Sequence, residues 1–328
     1  MDPALLDRFD TCFKNQKIAV IGDFALDFYF KLTTNTNEFS VETEKEVFHG
    51  KAPRTYLGGA GNVCKNLSHL GCQTDAFGII GDDLFGREMI HQMTNLSINH
   101  SSILIDTSKG TPVYSKPMEE LVEYHRIDFG TTTHINKTLK ADLLFQTSLQ
   151  IHSFDGIILN EQFLIPLLER EDLTTIQQEI KASNIFAIAD FRSLGKDAID
   201  VILKINLKEF SKLVDVEEHT LKDPKILEKS IKKLMETRNK GLLVTLGEQG
   251  IMYADQSKIV HKNAIPIKGP IDTVGAGDMV VAAFTAAILA GANEAEACEF
   301  ANICAHISIH KIGETGSASI LEIMNYKF

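Results

Sequence analysis

Five nearly continuous apolar runs of strand length recur along this chain, each closing on or beside a glycine, a carboxylate or an amide. They are KIAVIGD (17–23), DAFGIIGD (75–82), DGIILNE (155–161), IFAIADF (185–191) and GLLVTLG (241–247). Runs of this kind suit strands buried on both faces, as in a parallel sheet covered by helices. Between them lie the helical stretches GNVCKNLSHLG (61–71), FGREMIHQMTNL (85–96) and PKILEKSIKKLMETRNK (224–240). Strand alternating with helix predicts βαβ units, and so an α/β fold with a doubly wound, mostly parallel sheet flanked by helices. The polar ends of the runs place Asp23, Glu161, Asp190 and Gly247 at the carboxyl edge, where such sheets bind ligands.

Two segments break this rhythm. Residues 28–57 and 111–128 carry β-branched and aromatic residues that partly alternate with charges. Each predicts antiparallel strands of a small sheet with one wet face, and ETEKE (42–46) is expected on that solvated face. The length of 328 residues allows two domains or one large unit. With no repeat and no low-complexity linker, one α/β domain over 1–328 with a β appendage fits better.

Charge narrows the partners. With 33 basic and 44 acidic residues the net charge is −11, which argues against a general nucleic-acid binder. Small anions stay within reach, because a few local cations and helix N-termini can hold them. The five cysteines form no CxxC pair, so free thiols in a reducing compartment are expected. The start, MDPALLDRFDTCF, lacks the basic region of a signal peptide. The longest apolar stretch, Met279 to Ala292, falls short of the roughly 20 residues needed to span a bilayer. A soluble, cytoplasmic protein with no membrane partner is the expectation.

The densest chemistry lies in GPIDTVGAGDMVVAAFTAAILAGA (269–292). A short strand (Ala264–Lys268) is predicted before it, then a tight loop, then an apolar helix. Gly275, Ala276 and Gly277 have little or no side chain, so their N–H groups can approach a ligand at the amino end of that helix. The macrodipole there favours negative charge. Asp278 then has two readings. It is a general base taking a proton from a hydroxyl that attacks a phosphoryl group, or a first-turn residue complementing the dipole.

Competing motifs are missing: there is no GxxxxGK[ST], no GxGxxG, and YHRID (124–128) is not the HRD of a protein kinase. His306 and His310 in HISIH lack the glutamate of HExxH and are expected to pack or face solvent. In LGGAGNVCKNLSHLG (57–71), Gly58 and Gly59 allow close backbone approach. Asn62 is a helix cap or an outward donor. In GDFALDFY (22–29), Asp23 and Asp27 follow a buried strand, as a turn or as acceptors for substrate hydroxyls.

Taken in order, GDFALD (22–27), LGGAGN (57–62), IGDDLFG (80–86) and DTVGAGD (272–278) resemble the ribokinase-like (PfkB) sugar kinase family over essentially the whole chain. Within it the sequence is most similar to the heptose 7-phosphate kinase branch. That likeness rests on GDFALDFY, the spacing from FSVE (39–42) to LGGAGNV, EYHRIDF (123–129), INLKEF (205–210), CEFANICA (298–305) and KIGETG (311–316).

The resemblance implies a ribokinase-like fold with a small β lid from about 28–57 and 111–128. It implies ATP-dependent phosphoryl transfer to a hydroxyl of a sugar or sugar phosphate, heptose 7-phosphate of the ADP-heptose route first. Free sugars, fructose phosphates or nucleosides are the alternative acceptors. Asp278 matches the catalytic base and Gly275 to Gly277 the anion hole. Asp27, Gly58, Gly59 and Asn62 match sugar-binding positions. Asn206 and Glu209 match a pair that orders Mg2+ through water, Asn206 also lying at the nucleotide. Thr245 and Gly247 match the nucleotide edge, and Asn302 a position near the adenine. Asp272, with backbone around His310 to Ser317, matches a monovalent-cation loop, K+ being the implied ion. The lid forms the dimer interface in several relatives, so a homodimer through it is the expected assembly.

The acceptor end departs from the branch. NEQFLI (160–165) offers Glu161 as the expected acid but no basic residue after it. ADFRS (189–193) keeps Arg192 near a sheet edge, and Arg126 lies in the lid; each is a surface arginine or a cation for a sugar phosphate. A non-catalytic sensor on this fold would have lost the base or the glycines, and both are present. No nucleotidyltransferase domain follows Phe328, so adenylylation is expected of another protein.

Overall fold

In the computed structural model, which describes residues 1–119 and 122–326, the chain opens with helix α1 (Pro3–Phe13), whose Phe9 and Phe13 pack edge-on against Phe300. Strand β1 (Lys17–Gly22) passes through Asp23 alone into β2 (Phe24–Thr33), which leaves the core. Strand β3 (His49–Gly59) returns beside it and runs straight into α2 (Ala60–Leu70). Next come β4 (Gln73–Gly81), α3 (Leu84–Asn95) and β5 (Asn99–Asp106). Strands β6 (Val113–Glu119), β7 (Val122–Glu123) and β8 (Ile127–Phe129) rejoin β2.

The second half runs α4 (Lys137–Gln150), β9 (Gly156–Glu161), α5 (Arg170–Ser183), β10 (Phe186–Phe191), β11 (Ile202–Asn206) and α6 (Leu207–Val214). After α7 (Pro224–Met235) come β12 (Leu242–Thr245), β13 (Ile251–Ala254) and β14 (Ile259–Lys262). Helices α8 (Ala276–Leu289), α9 (Glu294–Ile309) and α10 (Ile320–Asn325) close the chain.

Nine strands form the main sheet in the order β14-β13-β12-β11-β10-β9-β1-β4-β5, parallel from β12 to β5. Its two faces explain the continuous apolar runs. Ile18 and Val20 enter the core under α1, α2, α8 and α9, whereas Ala19 and Ile21 enter the core under α4, α5 and α7. Alternate residues of one strand thus fill opposite cores, and each fully buried Ile or Val contributes about 1.5–3 kcal/mol.

All five predicted runs are strands. The strand expected at Ala264–Lys268 is not: β14 ends at Lys262 and residues 263–268 join no ladder. Pro266 has no N–H to give, and the carbonyls of Lys262 and Asn263 are taken by the Asn302 amide.

The second sheet is mixed, in the order β3-β2-β6-β7 with β8 on β6, where antiparallel strands were predicted. Strand β6 arrives from the main sheet by a crossover from β5, so it pairs parallel to β2, while β3, β7 and β8 pair antiparallel to their neighbours. The lid also begins earlier than predicted, at Phe24, and reaches Gly59. ETEKE is exposed but sits on the turn closed by the Phe39–Glu46 bridge, not on a strand face. Glu120 and Leu121 of the predicted 111–128 segment lie outside the described residues. Among the described residues no helix is long and apolar enough to cross a membrane.

Candidate active site

The loop 269–275 delivers the chain to the start of α8, and Gly275 makes the turn. Its φ of +78° is left-handed, and a Cβ there would meet Asn62 Nδ2 at 2.6 Å and Thr315 Cγ2 at 2.9 Å. Gly277 is needed for a different reason: its Cβ would lie 2.6 Å from Lys204 Nζ. Among the described residues the first turn of α8 therefore keeps the Gly275 and Gly277 N–H groups unpartnered with a buried ammonium beside them, whereas Ala276 N, also expected to point at the anion, donates to the Thr273 carbonyl at 3.2 Å.

Asp278 is the third residue of that turn and is buried. Its Oδ2 accepts from Asn62 Nδ2 at 2.7 Å, and its Oδ1 from Gln162 Nε2 at 3.0 Å. Both donors come from other elements, α2 and the loop after β9, so the carboxylate is held from outside its own helix. Burial, and next the charge of Asp190, push its pKa up from 3.8 to about 6, against the opposing pull of Asn62, Lys204 and Gln162. A carboxylate poised there is suited to accepting a proton at neutral pH.

Asp190 and Lys204 face each other on β10 and β11 and form a buried ion pair of 2.8 Å. Burial, the largest influence, presses the Lys204 pKa down, but Asp190 with help from Asp278 and Glu209 outweighs it and the net shift is upward. The ammonium stays charged under Gly277.

Toward the lid, Asp27 lies within β2 and is not a loop residue. Its Oδ1 pairs with Lys116 at 3.0 Å, and its Oδ2 accepts from Thr315 Oγ1 at 2.7 Å. Gly58 sits against it, since a Cβ there would touch Asp27 Cγ at 3.4 Å, and Gly59 is paired with Phe24. Lys65, one turn beyond Asn62, donates to the Thr315 carbonyl, and burial lowers its pKa to about 8.

Asp23 does something else. Its oxygens accept from the amides of Gln162, Phe163 and Leu167 at 2.8, 2.9 and 2.7 Å, so it folds the loop after β9. Glu161 departs from its expected acceptor role. Its carboxylate accepts from Ser193 N at 2.8 Å, Ser193 Oγ at 2.9 Å and Leu194 N at 3.3 Å, which makes it the clamp of the Arg192 loop. Arg192 itself is exposed, and among the described residues its guanidinium makes no hydrogen bond or ion pair, though its charge acts on Glu209 and Tyr114. Arg126 pairs with Asp128 at 2.7 Å and lies 4.7 Å from the Tyr114 ring centre. Burial pushes the Tyr114 hydroxyl pKa up, and the charges of Arg192 and Arg126 both pull against it.

On the other side of α8 opens a cavity of about 650 Å3. Lys204, Asn206, Thr245, Gly247, Ala276, Gly277 and Asn302 all line it, so the residues expected at the nucleotide and two of the three expected at the anion hole border one cavity. Asn302 also spends its amide on the 262 and 263 carbonyls. Asn206 and Glu209 form a capping box on α6: Asn206 Oδ1 accepts from Glu209 N at 2.9 Å, and Glu209 Oε2 accepts from Asn206 N at 2.8 Å. That leaves one Glu209 oxygen free. Among the described residues no cluster of three His, Cys, Asp or Glu side chains exists to cage a metal. One spare carboxylate oxygen fits Mg2+ held mainly by water and phosphate. Asp272 accepts from Val274 N at 3.0 Å and Gly313 N at 3.3 Å, tying the loop before α8 to the loop after α9. His306 and His310 meet at a tilt of 50°, 4.5 Å between ring centres, with His306 buried and His310 exposed.

Four participants escaped sequence reasoning: Lys204, Gln162, Lys65 and Lys116. A lysine inside the apolar strand ILKIN was a usable signal for Lys204, because a buried lysine needs a partner. The other three carry no local signal.

The family model described as pfkB family carbohydrate kinase matches residues 15–321. The chain belongs to this family. The family is one of carbohydrate kinases, and membership implies ATP and Mg2+. Similar curated proteins include the bifunctional protein HldE of Helicobacter acinonychis (strain Sheeba), 30% identical over 320 residues, which cover 94% of this chain and 65% of that protein. HldE of Helicobacter pylori (strain J99 / ATCC 700824) is 31% identical over 313 residues, again 94% of this chain and 65% of the relative. The chain thus spans 65% of the length of these relatives. Phosphofructokinase-2 from Escherichia coli, solved in complex with potassium, has the same fold, with a TM-score of 0.76 at 20% identity, covering 94% of this chain and 96% of that one. Arabidopsis thaliana ribokinase complexed with ribose and ATP superposes with a TM-score of 0.74 at 18% identity, covering 95% and 99%.

Proposed function

We propose that this chain transfers the γ-phosphoryl group of ATP to a hydroxyl of a sugar that already bears a phosphate, heptose 7-phosphate being the acceptor. The reading rests on one observation: a buried carboxylate with its pKa raised to about 6 stands at a helix mouth between a nucleotide-sized cavity and the Asp27 cluster. The roughly 30% identity to HldE proteins over nearly the whole chain favours the heptose phosphate.

In this mechanism the acceptor hydroxyl lies against Asp278, guided by Asp27, Asn62 and the backbone of Gly58 and Gly59. Its oxygen forms the new bond to the γ-phosphorus, the bond to the leaving ADP oxygen breaks, and the proton passes to an Asp278 oxygen. The amides of Gly275 and Gly277 receive the transferring group, where fixed donors stabilise charge without reorganising, and that of Ala276 joins them only by giving up the Thr273 carbonyl. Lys204 adds a cation from below. Bound Mg2+ would neutralise the phosphates, with Asn206 and Glu209 orienting its waters. Thr245, Gly247 and Asn302 would hold the nucleoside, and Asp272 the monovalent-cation loop. Arg192 and Arg126 would receive the acceptor's own phosphate. A homodimer through the lid is supported by the exposure of Phe48, Ile127 and Phe129 on its strands and edges.

The test is turnover on heptose 7-phosphate, fructose 6-phosphate, ribose and adenosine side by side. Preference for heptose 7-phosphate by about tenfold or more in kcat/KM supports the reading. A preference for any of the others assigns a different acceptor to the same kinase.

A further inference from the structure

Asp278 is gripped by two amides, and only one of them, Asn62, belongs to the acceptor loop. The other is Gln162, the first residue beyond β9, whose backbone N–H is bound by the buried Asp23 at 2.8 Å. Asp23 spends its whole carboxylate on residues 162, 163 and 167, an expensive use of a buried acid that has one visible product: the loop that carries Gln162 to Asp278. The next residue, Phe163, meets the ring of Tyr114 on lid strand β6 edge-on, 6.2 Å between centres. The same short loop therefore touches the lid with one side chain and the base with its neighbour.

We propose that Gln162 is a positioning residue for the catalytic base, holding the Asp278 carboxylate in its reactive orientation and coupling it to the lid through Phe163 and Tyr114. The inference rests on Asp278 being the base. Gln162 donates to the ionised form of Asp278, as does Asn62, and both oppose the burial and the Asp190 charge that favour the protonated form. The charged groups facing the carboxylate are Asp190 and Lys204 from the sheet and Lys65 from α2.

The experiment compares wild type, Gln162→Leu and Gln162→Met with Asp278→Asn. It uses ATP and whichever of heptose 7-phosphate, fructose 6-phosphate or ribose turns over fastest. Loss of the donor should lower kcat by about tenfold and move the acid limb of the kcat/KM profile up by about one pH unit. KM for ATP should stay within about twofold, and the thermal midpoint should be little changed. A lower kcat with an unmoved acid limb, or full activity in both Gln162 variants, overturns the proposal. An active Asp278→Asn enzyme overturns instead the base assignment on which it stands. Met keeps the length and flexibility of glutamine, so it carries the test should leucine prevent folding.

Discussion

Asn62 on α2 and Asp278 on α8 share a 2.7 Å hydrogen bond across 216 positions of chain. Helix α2 begins where strand β3 of the small sheet ends, so this bond joins the exit of that sheet to the helix that carries the proposed base. A carboxylate held this way has a fixed direction, which a proton acceptor requires.

Asp278→Asn keeps the shape and loses the proton acceptor. Turnover should fall by about 10²–10⁴-fold while nucleotide binding is retained. Titration of ATP binding beside steady-state rates checks this; more than a tenth of wild-type activity would remove Asp278 from the mechanism.

Acidity acts in opposite directions on stability and activity. Asp23 and Asp278 both rise from 3.8 to about 6 on folding, so the folded protein holds more protons than the unfolded one between those values. Their contribution to stability is present at the acid end and is lost as pH rises through about 6. Asp278→Asn removes one of these charges, so it should be more stable than wild type at pH 7.5 by about 1–3 kcal/mol, the gap closing toward pH 5. Meanwhile wild-type kcat/KM should drop below about pH 6. Thermal midpoints and rates across pH 5 to 8 measure both trends, and a constant gap between the two proteins would contradict the assignment.

Gly277→Val should damage catalysis more than folding. Even Ala would put its Cβ 2.6 Å from Lys204 Nζ, a flexible side-chain end that can retreat, but only by disturbing the 2.8 Å pair with Asp190. The activity loss should therefore exceed what the thermal midpoint explains, and the Ala variant should fall between wild type and Val. Rates that merely follow unfolding would make the loop a plain turn.

The Asn206–Glu209 pair serves two purposes, and one substitution separates them. Glu209→Gln keeps an oxygen for the Asn206 N–H, so the helix start survives, yet it removes the charge. The Mg2+ concentration for half-maximal rate should rise by about 10-fold. Asn206→Ala with Glu209→Ala should add about 1 kcal/mol of lost capping to that defect. An unchanged Mg2+ dependence in Glu209→Gln would leave the pair as a capping box alone.

Arg192→Ala should raise KM for a sugar phosphate about 10-fold, the loss expected of a charge-assisted hydrogen bond, and leave KM for ATP unaltered. Equal use of a free sugar and its phosphate by wild type, with no effect of the substitution, would defeat the phosphorylated-acceptor reading.

Much of this was legible in the residues, for a physical reason. Strands buried on two faces announce themselves as unbroken apolar runs, so β1, β4, β9, β10 and β12 were readable. Strand β11 was not, because Lys204 interrupts its run and is satisfied only by Asp190 on the neighbouring strand. Asp278 and the 275–277 loop form a local pattern and were found together. Gln162 was invisible, since its contact with Asp278 spans 116 positions and no spacing rule links them. Glu161 misled for the opposite reason: an acid at a sheet edge invites a ligand, but here backbone amides two and three residues past β10 had already claimed it. The parallel pairing of β2 with β6 is likewise set by where the chain re-enters the lid, which composition does not encode.

Strand β1 reaches β2 through Asp23 alone, and β3 reaches α2 with no intervening residue, so the lid is an extension of the core's own ribbon. On the proposed reading the sugar is gripped by Asp27, Gly58 and Gly59 on that ribbon, whereas the nucleoside lies against Thr245, Gly247 and Asn302 in the distant half of the molecule. The two products then leave by separate doors. Neither product blocks the other's exit, so their departure should follow no fixed order, with ADP competing against ATP and the sugar product against the sugar.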